Sequence, residues 1–337
     1  MNITAQDRAQ LLQLIERLHR QRVVMLGDLV ADEFVYGEIA RVSREAPVLI
    51  LKQRERRIVP GGGGNAANNL AALGLKAIPV GLVGDDDEGE ALLRYFRERD
   101  IPTDRILRLR GHQTPTKSRI LGGLAHWPRQ QIVRVDREPA VWPAGAVQQK
   151  MVRLAGSALN SATGAVISDY GYGTTSAEGV AALRRKLRNR PFPLAVDSRF
   201  SLGLYRGVTA ATPNEPEIEA MTRQHIGNDL SLLERLGRKI LRRQHFQALL
   251  VTRGRDGMIL FERGRRARVL PIFGSDQAMD VTGAGDTVIA AFTAALAAGS
   301  DFLHAAMLAN CAAGLAVMKR GTATVTAMEL REAVKNG

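Results

Sequence analysis

The stretch DVTGAGD, residues 280–286, runs straight into the apolar segment TVIAAFTAALAAG. Two carboxylates, Asp280 and Asp286, bracket residues that offer little side chain. The apolar segment has the composition and length of a helix, which puts Gly283, Ala284 and Gly285 at its N-terminus. Backbone N–H groups there have no intrahelical partner. With the helix dipole they form a cradle for developing negative charge. Asp286 falls in the first turn, where a carboxylate is stabilised and is expected to stay ionised at neutral pH. An ionised carboxylate can take a proton from an attacking hydroxyl, and the cradle can hold the phosphoryl group under attack. The bland alternative makes Asp286 a helix cap and leaves the Gly-Ala-Gly approach unexplained.

Working outward, apolar β-rich stretches recur at 23–27 (VVMLG), 77–84 (AIPVGLVG), 164–169 (GAVISD), 193–197 (PLAVD), 207–212 (GVTAAT) and 248–252 (ALLVT). Helical patterns lie between most of them, among them GNAANNLAALG, EGEALLRYFRERD and LSLLERLGRKILRRQ. Strands alternating with helices predict an α/β fold with a mostly parallel sheet covered on both faces. Several strands end in polar residues or glycine: Gly27-Asp28, Ser168-Asp169, Asp197 and Thr252-Arg253-Gly254. Ligands in open α/β sheets bind at those carboxyl ends, so one shared cleft is expected. Residues 31–59 and 113–136 break the alternation with extended patterns, the second reading as a hairpin. Together they are expected to make a small second sheet, a lid that excludes water from the cleft.

At 60–74, PGGGGNAANNLAALG sets four glycines before a helical pattern. Glycines allow close backbone approach, and Asn65 adds an amide with both donors and acceptors. The spacing is neither a P-loop nor a dinucleotide fingerprint.

Composition narrows the classes. The chain has 337 residues, one cysteine (Cys311) and no run of 18 apolar residues. That leaves no intramolecular disulfide, no cysteine-rich metal site and no spanning helix. The first residues lack the apolar core of a signal peptide and read as an amphipathic helix, so a cytoplasmic protein is expected. The net charge of +13 raises nucleic acid as a partner, but the basic runs at 54–57, 184–190 and 265–268 are dispersed and aromatics are only 5%. A basic solvated surface that favours anionic substrates, with no nucleic acid, is the simpler reading; a basic nucleic-acid-binding protein is the remote alternative. Lys117 and Arg119 alternate on one lid strand and so face the same way, as a site for an anionic substrate tail requires.

The GG-x-x-N segment (Gly61, Gly62, Asn65), paired with DVTGAGD, resembles the ribokinase-like (PfkB) family of carbohydrate kinases over nearly the whole chain. The resemblance implies a three-layer α/β sandwich with a mostly parallel central sheet and a small β lid. Residues 1–337 would be one kinase domain. It implies transfer of the ATP γ-phosphoryl group to a sugar hydroxyl, with Asp286 as base and Gly283-Ala284-Gly285 as anion hole. Asn214 and Glu217, in PNEPE, match the family's N-x-x-E and would organise Mg²⁺ and phosphates through water. VTRGRDGM (251–258) looks like the nucleotide loop, bringing Thr252, Arg253, Gly254 and Gly257 to ATP. Asn310 falls where the family lines the adenine pocket. Asp28, Asp32 and Asp169 fall at the sugar end, with Gly61, Gly62 and Asn65. A monovalent cation near Asp280 stays open, and a homodimer through the lid is expected.

GDLVADEFVYGEIARVSREAPVLIL, SDYGYG and GTATVT are similar to the kinases of D-glycero-D-manno-heptose 7-phosphate. That points to phosphorylation of the anomeric hydroxyl, giving the 1,7-bisphosphate. Members of that subfamily often carry a C-terminal adenylyltransferase domain; here no such motif follows VKNG, so adenylylation is not expected. The chain departs from the subfamily's pattern in places. Tyr172 and Arg199 stand where it usually has lysines, and Gly63-Gly64 where it usually has two alanines. A PfkB-type kinase for another sugar, sugar phosphate or nucleoside is therefore the alternative.

Overall fold

The computed structural model describes residues 3–123, 130–143, 145–275 and 277–336. The tip of the expected lid hairpin, 124–129, and the two chain ends lie outside the described residues. The strands are β1 (Arg22–Gly27), β2 (Leu29–Val42), β3 (Leu49–Gly62), β4 (Lys76–Gly84), β5 (Ile106–Leu109), β6 (Thr116–Gly123) and β7 (Gln130–Arg137). They continue with β8 (Gly164–Asp169), β9 (Leu194–Ser198), β10 (Ala210–Ala211), β11 (Ala248–Thr252), β12 (Met258–Glu262) and β13 (Arg268–Leu270). The helices are α1 (Ala5–Arg17), α2 (Gly63–Ala72), α3 (Asp87–Arg97), α4 (Gly145–Ala158) and α5 (Ala177–Lys186). After them come α6 (Glu215–Thr222), α7 (Leu230–Arg243), α8 (Ala284–Ala297), α9 (Phe302–Ala316) and α10 (Ala327–Asn336).

Nine strands form the main sheet in the order β13-β12-β11-β10-β9-β8-β1-β4-β5. From β11 to β5 neighbours are parallel; β12 and β13 add an antiparallel edge. Because side chains alternate along a strand, β1 feeds two cores. Val23 and Met25 join the core under α1, α2, α8 and α9, while Val24 and Leu26 join the one under α4, α5 and α7. These three layers are the ribokinase-like sandwich. Helix starts follow side-chain caps: Asp86 accepts from Gly89 N, Ser176 from Gly179 N and Asn214 from Glu217 N.

The second sheet, in the order β3-β2-β6-β7, comes from the two segments that break the alternation. Its base is tied to the main body by Glu88 of α3, which accepts from Arg56 (2.9 Å) and Arg137 (2.7 Å). The polar strand ends meet at one edge. Asp28 N donates to Ser168 O at 3.0 Å, Ser168 pairs with Asp197, and Asn214 bridges to Thr252. The expected strand at 207–212 shrinks to Ala210–Ala211. Gly207 turns at φ 69° on one side and Pro213 has no N–H to give on the other.

Candidate active site

Asp286 lies in the first turn of α8 and is 2% exposed. Its Oδ2 accepts from Asn65 Nδ2 at 2.9 Å and its Oδ1 from the Tyr170 hydroxyl at 2.8 Å. Burial pushes its carboxyl up to about 7, opposed by the Asn65 bond and reinforced by the charge of Asp197. The expectation of a carboxyl held low by the helix start is thus reversed in direction. Removal from water outweighs the helix terminus, whose effect is worth only about 0.3–1 kcal/mol.

The three cradle residues differ in role. Gly283 is the N-cap at φ 78°, and a Cβ there would lie 2.5 Å from Asn65 Nδ2 and 2.8 Å from Thr322 Cγ2. Ala284 N donates back to Val281 O at 3.2 Å, so of the three cradle residues it is the one whose N–H is already taken. The N–H groups of Gly283, Gly285 and Asp286 have no hydrogen-bond acceptor among the described residues. A Cβ on Gly285 would meet nothing within 4 Å, because that residue borders an open cavity.

Several residues expected at the sugar carry hydrogen bonds within the protein. Asn65, fully buried, spends its amide on Asp286 and on Asn69, whose Nδ2 donates to Asn65 Oδ1 at 3.1 Å. Asn69 Oδ1 in turn accepts from Thr287, one residue past Asp286. Asp28 accepts from the N–H groups of Tyr170, Tyr172 and Thr174 (2.8, 3.0 and 3.0 Å), which folds the 170–174 loop around it. Asp169 accepts from Gly171 N, Ser198 Oγ and the Tyr205 hydroxyl. Gly61 leaves room for Asp32, whose Oδ2 would be 2.5 Å from a Cβ there, and Gly62 turns at φ 56° into α2. A side chain at either position would therefore be strained or crowded.

Asp32 lies near enough to Asp286 for its charge to raise that carboxyl's pKa. Arg119 donates to Asp32 Oδ1 at 2.6 Å. Lys117 is only 8% exposed, and its Nζ sits 5.0 Å from the centre of the Tyr170 ring. No acceptor among the described residues takes a hydrogen bond from that ammonium. Burial and the nearby Arg199 push its pKa down.

The nucleotide-loop residues converge. A cavity of about 360 Å³ is lined by Thr252, Gly254, Gly257, Ala284, Gly285 and Asn310, together with apolar side chains. Asn310 holds one wall by donating to Pro271 O at 2.7 Å. Arg253, expected at the nucleotide, donates its Nε to Glu215 Oε1 at 2.8 Å and so anchors the loop to α6. Asn214 and Glu217 form a reciprocal capping box, each side chain accepting from the other's N–H. Burial and the charge of Asp197 push Glu217 up to about 7. Asp197 itself rises to about 6, again through burial first.

Sequence reasoning missed Tyr170 and the charge coupling of Asp197. Both follow polar strand ends, the one signal that could have singled them out. No group of three or more His, Cys, Asp or Glu side chains among the described residues could hold a metal ion. No helix among them is long and apolar enough to cross a membrane.

Comparison with known proteins agrees with this geometry. The model of the pfkB family carbohydrate kinases matches residues 21–328. The chain is 36% identical over 329 residues to the protein named bifunctional protein HldE of Pelobacter propionicus, covering 97% of this chain and 66% of that one. It is 39% identical over 316 residues to the namesake in Hahella chejuensis, covering 93% and 63%. The chain thus spans about two thirds of the length of the curated relatives it matches. Among solved structures, Arabidopsis thaliana ribokinase complexed with ribose and ATP superposes with a TM-score of 0.71 at 18% identity, covering 94% of this chain and 99% of that one. Escherichia coli phosphofructokinase-2 in complex with potassium gives 0.71 at 16%, covering 94% and 98%. Those two likenesses speak for the fold, and the family match speaks for the chemistry: the chain belongs to the pfkB family of carbohydrate kinases and is a sugar-kinase phosphotransferase.

Proposed function

We propose that the chain uses ATP to phosphorylate the anomeric hydroxyl of D-glycero-D-manno-heptose 7-phosphate. The observation that carries the reading is the buried Asp286 carboxylate beside the free N–H groups of Gly283 and Gly285, with Gly285 bordering the 360 Å³ cavity. The sugar hydroxyl displaces the Tyr170 hydroxyl from Asp286 Oδ1, and Asp286 takes its proton. The N–H groups of Gly283, Gly285 and Asp286 stabilise charge on the transferring group, as positioning and electrostatics require. ATP occupies the cavity between Thr252, Gly254, Gly257 and Asn310. Lys117 pairs with the substrate's own phosphate, and Arg199 faces both it and Glu217.

The residues present suit a hard divalent cation. Glu217 keeps Oε1 and Asp197 keeps Oδ2 outside any hydrogen bond among the described residues, and their mutual repulsion favours a cation between them. Mg²⁺ held there, with Asn214 and through water, would offset phosphate charge. Near Asp280, both carboxylate oxygens already accept from Thr282 and Gly321 N–H groups, so a monovalent cation there would rest on neighbouring carbonyls. Val42, Val48, Leu49, Ile132, Val133 and Val135 leave an exposed apolar lid surface, which supports a homodimer through the lid. A cytoplasmic location accords with a reaction that consumes ATP.

A second reading, another phosphorylated sugar, is favoured by Tyr172. Its ring stacks on Trp142 (centroids 6.3 Å apart, planes at 18°) where a subfamily member would carry a charge. Coupled ADP release over a panel of sugars and sugar phosphates separates the two. With the preferred sugar phosphate, Lys117→Met should raise KM at least about tenfold and change kcat far less, as loss of a charge-assisted hydrogen bond implies. An unchanged KM would remove Lys117 from the substrate site.

Asp286 also sets a pH dependence. Its proton must leave before it can act, so kcat/KM rises with pH through an acid limb centred near 7. The Tyr170 hydroxyl donates to the ionised form and lowers this pKa. Tyr170→Phe should therefore move the limb to higher pH. A limb that stays in place, with turnover reduced evenly at every pH, would mean that Tyr170 only fills space.

A further inference from the structure

Basic runs that are dispersed in the sequence meet at one edge of the central sheet. α5 ends in Arg184, Arg185 and Lys186, and α7 ends in Arg242 and Arg243. Each helix leads into a parallel strand, so both end at the sheet's amino-terminal edge, opposite Asp286. β12 runs antiparallel to β11, which returns the turn at 263–267 to the same edge. Hydrogen bonds join these segments. Arg184 Nη1 donates to Arg206 O (3.0 Å), Gly207 N to Gln244 O (2.7 Å), Arg263 Nε to Phe246 O (2.6 Å) and Arg238 Nη1 to Arg265 O (3.1 Å). These acceptors are carbonyls, so the bonds of Arg184 and Arg263 leave their guanidinium charges uncompensated.

Carboxylates are scarce here. Segments 180–192, 203–212, 235–248 and 262–268 contain one, Glu262, which is buried and 3.4 Å from Arg265. Arg238 is paired with Glu234 one turn back on α7. Helix dipoles account for cations in a last turn. They do not account for Arg188, Arg190, Arg206, Arg263 and Arg266, which lie beyond the helices. Two clefts of about 470 and 290 Å³ open along the edge, one bordered by Arg238, Arg242 and Arg263 and the other by Arg185, Arg188 and Arg190.

We propose that this edge binds the phosphate backbone of nucleic acid without regard to base sequence. Guanidinium forks match phosphate oxygens, and arginine supplies nearly all the charge. Concave clefts rimmed by cations receive a ridge of phosphates better than a plane of lipid headgroups. Of the exposed large apolar side chains only Leu204 lies in these four segments, too little to insert into a bilayer. No exposed aromatic ring lies in them among the described residues, which leaves bases unstacked and recognition to phosphates. The inference does not depend on which sugar the kinase site takes.

The test is fluorescence anisotropy of the full chain with labelled DNA and RNA duplexes of about 20 base pairs, from about 50 to about 200 mM salt. With about four phosphates engaged, affinity should fall about 10²-fold over that range. Combining Arg188→Glu, Arg242→Glu and Arg266→Glu should flatten the slope by about three. ADP release should be unchanged, because these residues lie away from Asp286. The corresponding glutamine set, which removes charge without reversing it, should shift binding the same way at an unchanged melting temperature. No duplex binding at low salt would overturn the proposal. So would an unaltered slope in both variant sets, or binding to phosphatidylserine vesicles with none to either duplex.

Discussion

Asp286→Asn should lower turnover by about 10²–10⁴-fold, the range for losing general-base help, while ATP affinity stays close to that of the parent chain. The amide keeps the size of the carboxylate and can still accept from Asn65 or Tyr170, so the geometry at 2.9 and 2.8 Å is largely preserved. What it cannot do is take a proton. The cavity proposed for ATP is bordered by Gly285 and Ala284 but not by Asp286, so nucleotide binding reads out separately. The acid limb near pH 7 should vanish with the carboxylate. Direct titration of ATP onto the variant, beside single-turnover phosphoryl transfer, separates the two quantities. Weakened ATP binding with transfer rate intact would invert the assignment.

Gly283→Ala should cost nearly as much, about 10²–10³-fold in turnover, the scale of losing one preorganised donor to developing charge. A non-glycine residue at φ 78° carries a penalty of about 1–2 kcal/mol on its own. The added methyl would also press on the amide of Asn65, whose Nδ2 would be 2.5 Å away. Asn65 could then no longer hold Asp286. Gly285→Ala is the informative contrast. Its methyl meets no protein atom within 4 Å and points toward the cavity border. That variant should fold normally and raise KM for ATP. If the two alanine variants behaved alike, the distinct roles given to the two glycines would be wrong.

How much of this was legible in the sequence depends on distance along the chain. DVTGAGD could be read because its parts are neighbours: the donors, the carboxylate and the helix all fall within one turn. The run at 251–258 could be read for the same reason, and its Thr252, Gly254 and Gly257 line one cavity. The partners of the sugar-end residues were not. Asn65 and Asp286 are 221 positions apart, and the N–H groups that fill Asp28 come from more than 140 positions away. An amide that looks free in a glycine-rich segment is spent on a contact only the fold creates. Burial is equally silent in sequence, which is why Asp286 was expected ionised while removal from water pushes its carboxyl up to about 7. β12 was hidden because its apolar MILFE follows the glycine-punctuated nucleotide loop without a break. The lid's two segments were legible as extended, yet that Glu88 of α3 anchors them was not. The basic runs show the same limit in reverse, since topology gathers at one sheet edge what the chain disperses.

The most direct test of the central claim is ADP release by the purified chain supplied with ATP, Mg²⁺ and D-glycero-D-manno-heptose 7-phosphate, beside the Asp286→Asn chain. The account predicts one ADP per bisphosphate formed by the parent and a rate near background in the variant. Equal rates in the two chains, or ADP release that does not depend on any sugar, would contradict it.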